Sequence, residues 1–219
     1  MKHPLLSTFV LVTTAIWLLK APVAYACTGI SLKAQDGAAL FGRTLEWGAF
    51  DLKSRLVVVP RDYKFTAQTP DSKPGLCWNA KYGAVALDGA GKAIVIDGMN
   101  EKGITVGLFY HPGTAVYQKY DPAKAGESMA PTDVGMYLLT TCGSVKEARS
   151  AIQKVHVVPV VEPTLGIVAG VHYIVTEPSG KAIVIEYLKG ELTIFDAPLG
   201  VITNAPSYEW HETNLILQR

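Results

Sequence analysis

The chain has 219 residues, 49% of them hydrophobic and 18% charged, with a formal net charge of +1. This is an ordinary globular composition with material for one sizeable core, so a single domain is expected. Lys and Arg are scattered and not bunched, which excludes nucleic acid and anionic membrane surfaces as expected partners.

In chain order, residues 1–26 differ in kind from the rest. A short basic start (Lys2, His3) precedes an apolar stretch from Leu5 to Leu19, then Lys20 and the small-residue ending Ala24-Tyr25-Ala26. This is the pattern of a secretory signal cut after Ala26, and it implies an exported protein, periplasmic or secreted, with no stable membrane anchor after processing. An uncleaved anchor fits the A-x-A ending poorly. Lipoprotein processing fits Ala24 and Tyr25 poorly, because it calls for a branched apolar and then a small residue there.

From Cys27 onward, short β-branched segments are punctuated by Gly, Pro and Asp. Strands are predicted at Thr28–Leu32, Ala39–Thr44, Arg55–Val59, Tyr82–Leu87, Ala93–Asp97 and Ile104–Tyr110. Asp36-Gly37 reads as a two-residue hairpin turn between the first two, and residues 99–103 as a tight turn between the last two. Pro131 to Val155 then changes to helical spacing (Val134, Tyr137, Leu138, Val145, Ala148, Ile152), broken at Cys142-Gly143. Thr132 and Ser144 are the expected N-caps of two helices. Strands resume at Tyr173–Thr176, Ala182–Tyr187 and Leu192–Phe195, and Ser207 opens a last helix. Strands, a helical pair, then strands again describe an α+β domain with helices over a largely antiparallel sheet.

Three residue groups can carry chemistry. Cleavage after Ala26 would give Cys27 a free α-amino group, whose ordinary pKa of about 7.7–8.0 suits it to accept a proton from a thiol on the same residue. Alternatively, Cys27 merely begins the first strand. Arg43 lies in an apolar strand, Phe41-Gly42-Arg43-Thr44. Hairpin pairing would bring it near Cys27, where a cation favours the thiolate. Glu46 could balance that charge and hold the amine; without the Cys start, both would read as a surface ion pair. Asn204, after the strand-like Gly200-Val201-Ile202, has a side-chain amide suited to an oxyanion hole, or else builds the turn before Pro206. Cys77 and Cys142 could pair or lie apart. The five histidines and the acidic residues show no metal-ligand spacing, so no metal and no cofactor is expected.

The motifs Cys27-Thr28-Gly29-Ile30, Gly42-Arg43-Thr44-Leu45-Glu46-Trp47, Trp78 with Lys81-Tyr82-Gly83, Asp97-Gly98-Met99-Asn100-Glu101-Lys102-Gly103, and Thr203-Asn204-Ala205-Pro206 through Trp210-His211-Glu212-Thr213-Asn214-Leu215 occur in one order. In that order the chain resembles the choloylglycine hydrolase and penicillin V acylase family of N-terminal-nucleophile (Ntn) hydrolases. The resemblance implies an αββα sandwich of two mostly antiparallel sheets and hydrolysis of a small-molecule linear amide. By position it makes Cys27 the nucleophile, Arg43 its guanidinium and Asn204 the side-chain half of the oxyanion hole. Glu46 stands where the family usually has Asp. The other oxyanion donor would be a backbone N–H near Phe109 or Tyr110, both of which would meet substrate. Family members continue past Arg219, and a second active-site Arg in that extension has no counterpart here. The expected domain, 27–219, is thus a truncated sandwich, incomplete at its C-terminus, with homo-oligomer contacts left open. Bile-salt, penicillin and acyl homoserine lactone amides are all open as substrates, with Tyr110 tilting toward an aromatic or apolar acyl group; an inactive exported fragment is the remaining alternative.

Overall fold

The computed structural model describes residues 27–48 and 50–218. The expected signal segment, residues 1–26, lies outside them. Two sheets dominate. Strands β1 (Thr28–Lys33), β2 (Ala39–Arg43) and β10 (Val201–Thr203) form a three-stranded antiparallel sheet in the order β10-β1-β2. Strands β3 (Leu56–Val59), β4 (Ala84–Gly89), β5 (Ile94–Asn100), β6 (Thr105–Tyr110), β7 (Val171–Thr176), β8 (Ala182–Leu188) and β9 (Glu191–Asp196) form the second sheet. Spatial order there follows chain order from β3 to β9, every neighbour antiparallel.

Helices α1 (Val134–Thr141) and α2 (Val145–Ile152) are inserted between β6 and β7 and pack on one face of the large sheet. The small sheet packs on the other face. Strand composition reflects this double cover. β7 and β8 read VHYIVT and AIVIEYL and are buried almost throughout, the near-continuous apolar run expected of strands with both faces covered. Val171, Tyr173 and Val175 join Ile183, Ile185 and Tyr187 in the helix-side core, whereas Ile174, Ala182 and Val184 share the inter-sheet core with Cys27, Phe109 and Ile202. Burial of each large side chain here contributes about 1.5–3 kcal/mol. The small sheet does not reach β3 and β4: Val58 and Val85 are exposed and, with Met99, lie in register across β3, β4 and β5.

Two local expectations are corrected. The β1–β2 connection is not a two-residue turn. Pairing ends at Lys33↔Ala39, and a loop over 34–38 is closed by Ala34 N–H donating to the Ala38 carbonyl at 2.8 Å. The Asp36 carboxylate accepts from Ala38 N at 3.0 Å, and Gly37 takes a φ of +88°, so Asp-Gly serves an Asx-type turn. Thr132 does not cap α1. It lies inside a 3-10 turn over Pro131–Asp133, and the Asp133 carboxylate accepts from Ala130 N and Gln68 N instead. Ser144 caps α2 as expected, accepting from Glu147 N at 3.1 Å. Helix α3 (Tyr208–Leu217) follows β10.

Short pairs that the sequence reading passed over join Lys64–Thr66 to Cys77–Asn79, Ser128–Met129 to His156–Val157, and Val161–Glu162 to Ile167–Val168. All three cysteines are free thiols, with Cys77 exposed and Cys142 buried.

Candidate active site

Cys27 is placed by glycine. In β1, Gly29 faces the large sheet so closely that a Cβ there would stand 2.5 Å from Phe109 Cζ and 3.0 Å from Ile202 Cγ2. Only a residue without a side chain allows this approach, and it seats Cys27 in the inter-sheet core at 3% exposure. The contacts that reach its sulfur come from the Glu46 main chain: Glu46 N–H donates to Sγ at 3.5 Å, and the thiol lies 4.0 Å from the Glu46 carbonyl.

Arg43 is opposite Gly29 in the β1–β2 register. Its side chain points inward from β2 and ties the two sheets together, with Nη1 donating to the Leu108 carbonyl at 2.6 Å and to the Ile96 carbonyl and Asp97 Oδ2 at 3.4 Å. The guanidinium lies 3.9 Å above the Phe109 ring. A carboxylate partner of Arg43 is thus Asp97 of β5. Asp97 is the site residue that sequence reasoning missed. Burial pushes its carboxyl up to about 6, against the attraction of Arg43.

Asn204 directly follows β10. The pairing Thr28↔Thr203, continued by one residue, puts it opposite Cys27, and Thr203 Oγ1 donates to the Cys27 carbonyl at 3.0 Å. Asn204 is buried, and its own carbonyl faces His211 Nε2 at 3.1 Å. The topology thus brings Cys27, Arg43 and Asn204 together from three strands of one small sheet.

Cys27 and Arg43 open onto a cavity whose walls are almost wholly apolar, including Leu45, Trp47, Phe50, Ile96 and Leu165. Tyr110 also lines it, packed edge-on against Trp47 with ring centroids 5.4 Å apart. Phe109 instead is fully buried beneath Gly29 and Arg43. Further wall comes from Leu52, Ile94, Leu108, Thr132, Ala169 and Val171. Glu162, on the cavity wall, pairs with Lys92.

Three further titratable side chains converge behind Asn204, although their spacing in sequence gives no hint of it. His111, His172 and Glu186 are fully buried, with candidate ligand atoms within 4.8 Å of one another. The two imidazoles are stacked, centroids 4.0 Å apart and planes 5° from parallel. A ring nitrogen's lone pair lies in its ring plane, and two parallel planes share no point where one ion could sit. As placed, the rings cannot both ligate a metal.

Residues 27–217 match the family model of linear amide C-N hydrolases, choloylglycine hydrolase family. A bile salt hydrolase/transferase of Clostridium perfringens is 30% identical over 197 residues, covering 86% of this chain and 56% of that protein. A penicillin V acylase of Pectobacterium atrosepticum is 28% identical over 174 residues, 76% of this chain and 45% of that one. The crystal structure of a mutant conjugated bile acid hydrolase from Clostridium perfringens superposes with a TM-score of 0.72 at 26% identity, covering 88% of this chain and 57% of that one. The chain spans about half the length of these relatives, and its fold is their Ntn-hydrolase sandwich. From the apposition of Cys27, Arg43 and Asn204 to the match over residues 27–217, the observations agree: the chain belongs to the choloylglycine hydrolase family of linear amide C-N hydrolases.

Proposed function

We propose that this protein is an exported enzyme that hydrolyses linear amides by acyl transfer to Cys27, after removal of residues 1–26 has freed its α-amino group. The observation that carries the reading is the buried Cys27 thiol at an apolar cavity shared with Arg43, with Asn204 opposite it in register. The thiol attacks the amide carbonyl, and its proton passes to the α-amine. The Asn204 amide and a main-chain N–H near Tyr110 take the developing oxyanion. The protonated α-amine then gives its proton to the leaving amine, and water attacks the thioester to free the acid.

Arg43 cannot swing into solvent, because it is held by three main-chain carbonyls, Asp97 and the Phe109 ring. It therefore supplies a fixed positive charge beside the site. The apolar walls, with Trp47, Phe50 and Tyr110 on one side, favour an aromatic or aliphatic acyl group. The same observation favours, as a second reading, the fatty-acyl amide of a homoserine lactone.

The test compares protein starting at Cys27 with protein in which residues 1–26 are retained, on a panel of bile-salt, penicillin and acyl homoserine lactone amides. Blocking the amine removes the base, so the retained form is expected to be slower by roughly 10²- to 10⁴-fold. Equal turnover by a form shown intact by mass spectrometry would defeat the single-residue nucleophile-and-base mechanism.

A further inference from the structure

Glu186 is an acid in the middle of the apolar strand β8, fully buried and on the face that looks toward the small sheet, where burial pushes its carboxyl up. Such a group costs several kcal/mol unless its oxygens are well supplied with donors. Its donors are specific. Oε1 accepts from His172 Nδ1 at 2.8 Å across the β7–β8 pair, and from the main-chain N–H of Tyr208 at 2.9 Å.

Tyr208 is the first residue of α3, whose N-cap residue Ser207 makes no side-chain capping bond. Glu186 Oε1 therefore does the capping from another strand, accepting at the positive end of the helix. His111, stacked on His172, has Nε2 3.2 Å from the Pro206 carbonyl. Burial holds both imidazoles neutral, pushing His111 down to about 4 and His172 to about 3. In a neutral ring the nitrogen facing a carbonyl or carboxylate carries the proton. His172 thus donates from Nδ1 to Glu186, and His111 from Nε2 to Pro206.

Adding the contact of His211 with the Asn204 carbonyl, the turn from Asn204 to Tyr208 is held at three points along its main chain. Nothing in the amide-cleaving machinery accounts for a buried carboxylate and two stacked histidines at this place.

We infer that Glu186, through His172 and His111, is a positioning residue that clamps the Asn204–Tyr208 turn so that the Asn204 amide stays opposite the Cys27 thiol. This rests on the amide-hydrolase reading for its consequence in turnover, but the clamp itself is a property of the fold.

The test uses Glu186→Ala, Glu186→Gln and His111→Phe, read by two measurements. In hydrogen exchange, the Tyr208 amide is expected to lose protection in Glu186→Ala and to keep most of it in Glu186→Gln, which still offers an oxygen acceptor. In kinetics, Glu186→Ala is expected to lower kcat by roughly 10²-fold, the scale of a misplacement of about 1 Å, with KM little changed because the acyl cavity lies elsewhere. On an Asn204→Ala background the same change should have almost no further effect on kcat, since residues acting through one group are not additive. His111→Phe offers an aromatic ring to the stack and removes the Pro206 bond together with the 3.7 Å approach of Nε2 to Glu186, so it serves if Glu186→Ala fails to fold. An unchanged Tyr208 amide, or losses in kcat that multiply with Asn204→Ala, would overturn the inference. Loss of Tyr208 protection in a protein whose parent cleaves no amide would uphold the clamp and sink only the hydrolase reading.

Discussion

Gly29→Ala tests whether the seat of Cys27 is set by close packing. The new methyl carbon would stand 2.5 Å from Phe109 Cζ, 3.2 Å from Phe109 Cε2 and 3.0 Å from Ile202 Cγ2. Phe109 cannot easily retreat: it is fully buried, and its other face carries the Arg43 guanidinium at 3.9 Å. Overpacking of this kind costs about 1–3 kcal/mol, of which the lower chain entropy of Ala returns about 0.5–1 kcal/mol. A net loss of about 1–2 kcal/mol lowers Tm by roughly 2–8 °C in a domain of this size. Because Cys27 is two residues away, immediately before the same strand, turnover should fall further than the folded fraction does. The assay is a double-mutant cycle with Phe109→Leu, which deletes the ring atoms that clash. The double variant should be less destabilised than the sum of the singles by about 0.5–3 kcal/mol. Additive effects, or a Gly29→Ala protein with parental Tm and turnover, would refute the argument that Gly29 is there for lack of space.

Two further outcomes are expected. Asn204→Ala should reduce kcat by roughly 10²- to 10³-fold while the protein stays folded; a fully active folded fraction would reduce Asn204 to a turn-builder. Asp97→Asn should change how stability responds to pH. The Asp97 carboxyl lies at about 6 when folded against an ordinary 3.8, so the folded state holds that proton more tightly and loses stability as pH rises between those values. The difference corresponds to at most about 3 kcal/mol. Asp97→Asn should therefore match the parent near pH 4, gain on it up to about pH 6, and keep a constant lead above. Parallel melting curves across that range would show that Asp97 is not strained by burial.

What the sequence disclosed is what depends on neighbours in the chain. The alternation that defines β1 and β2 is local, and so is the break at Cys142-Gly143 between α1 and α2; each is legible to within a few residues, whereas the type of the β1–β2 turn is not. The Lys64–Thr66 and Cys77–Asn79 pair was not, because three residues of mixed polarity carry no period. That pair persists through tertiary packing, with Phe65 stacked on Trp78 at 5.0 Å and Trp78 Nε1 donating to Thr140 Oγ1 at 3.0 Å.

The site divides the same way. Cys27 and Arg43 belong to one hairpin, so their proximity followed from pairing alone. The pairing of Arg43 with Asp97 did not, because Asp97 is near only once the two sheets are stacked. The acid set against the guanidinium comes from the facing sheet, where burial makes its charge harder to hold. Glu186 extends the point. A lone acid in an apolar strand signals in the sequence only that something must satisfy it, and its partners, His172 on the neighbouring strand and Tyr208 at a helix start beyond β9, become nameable when β8, β7 and α3 meet. In this fold the nucleophile's hairpin is written locally, while the groups that hold its surroundings in place are set by which sheet faces which.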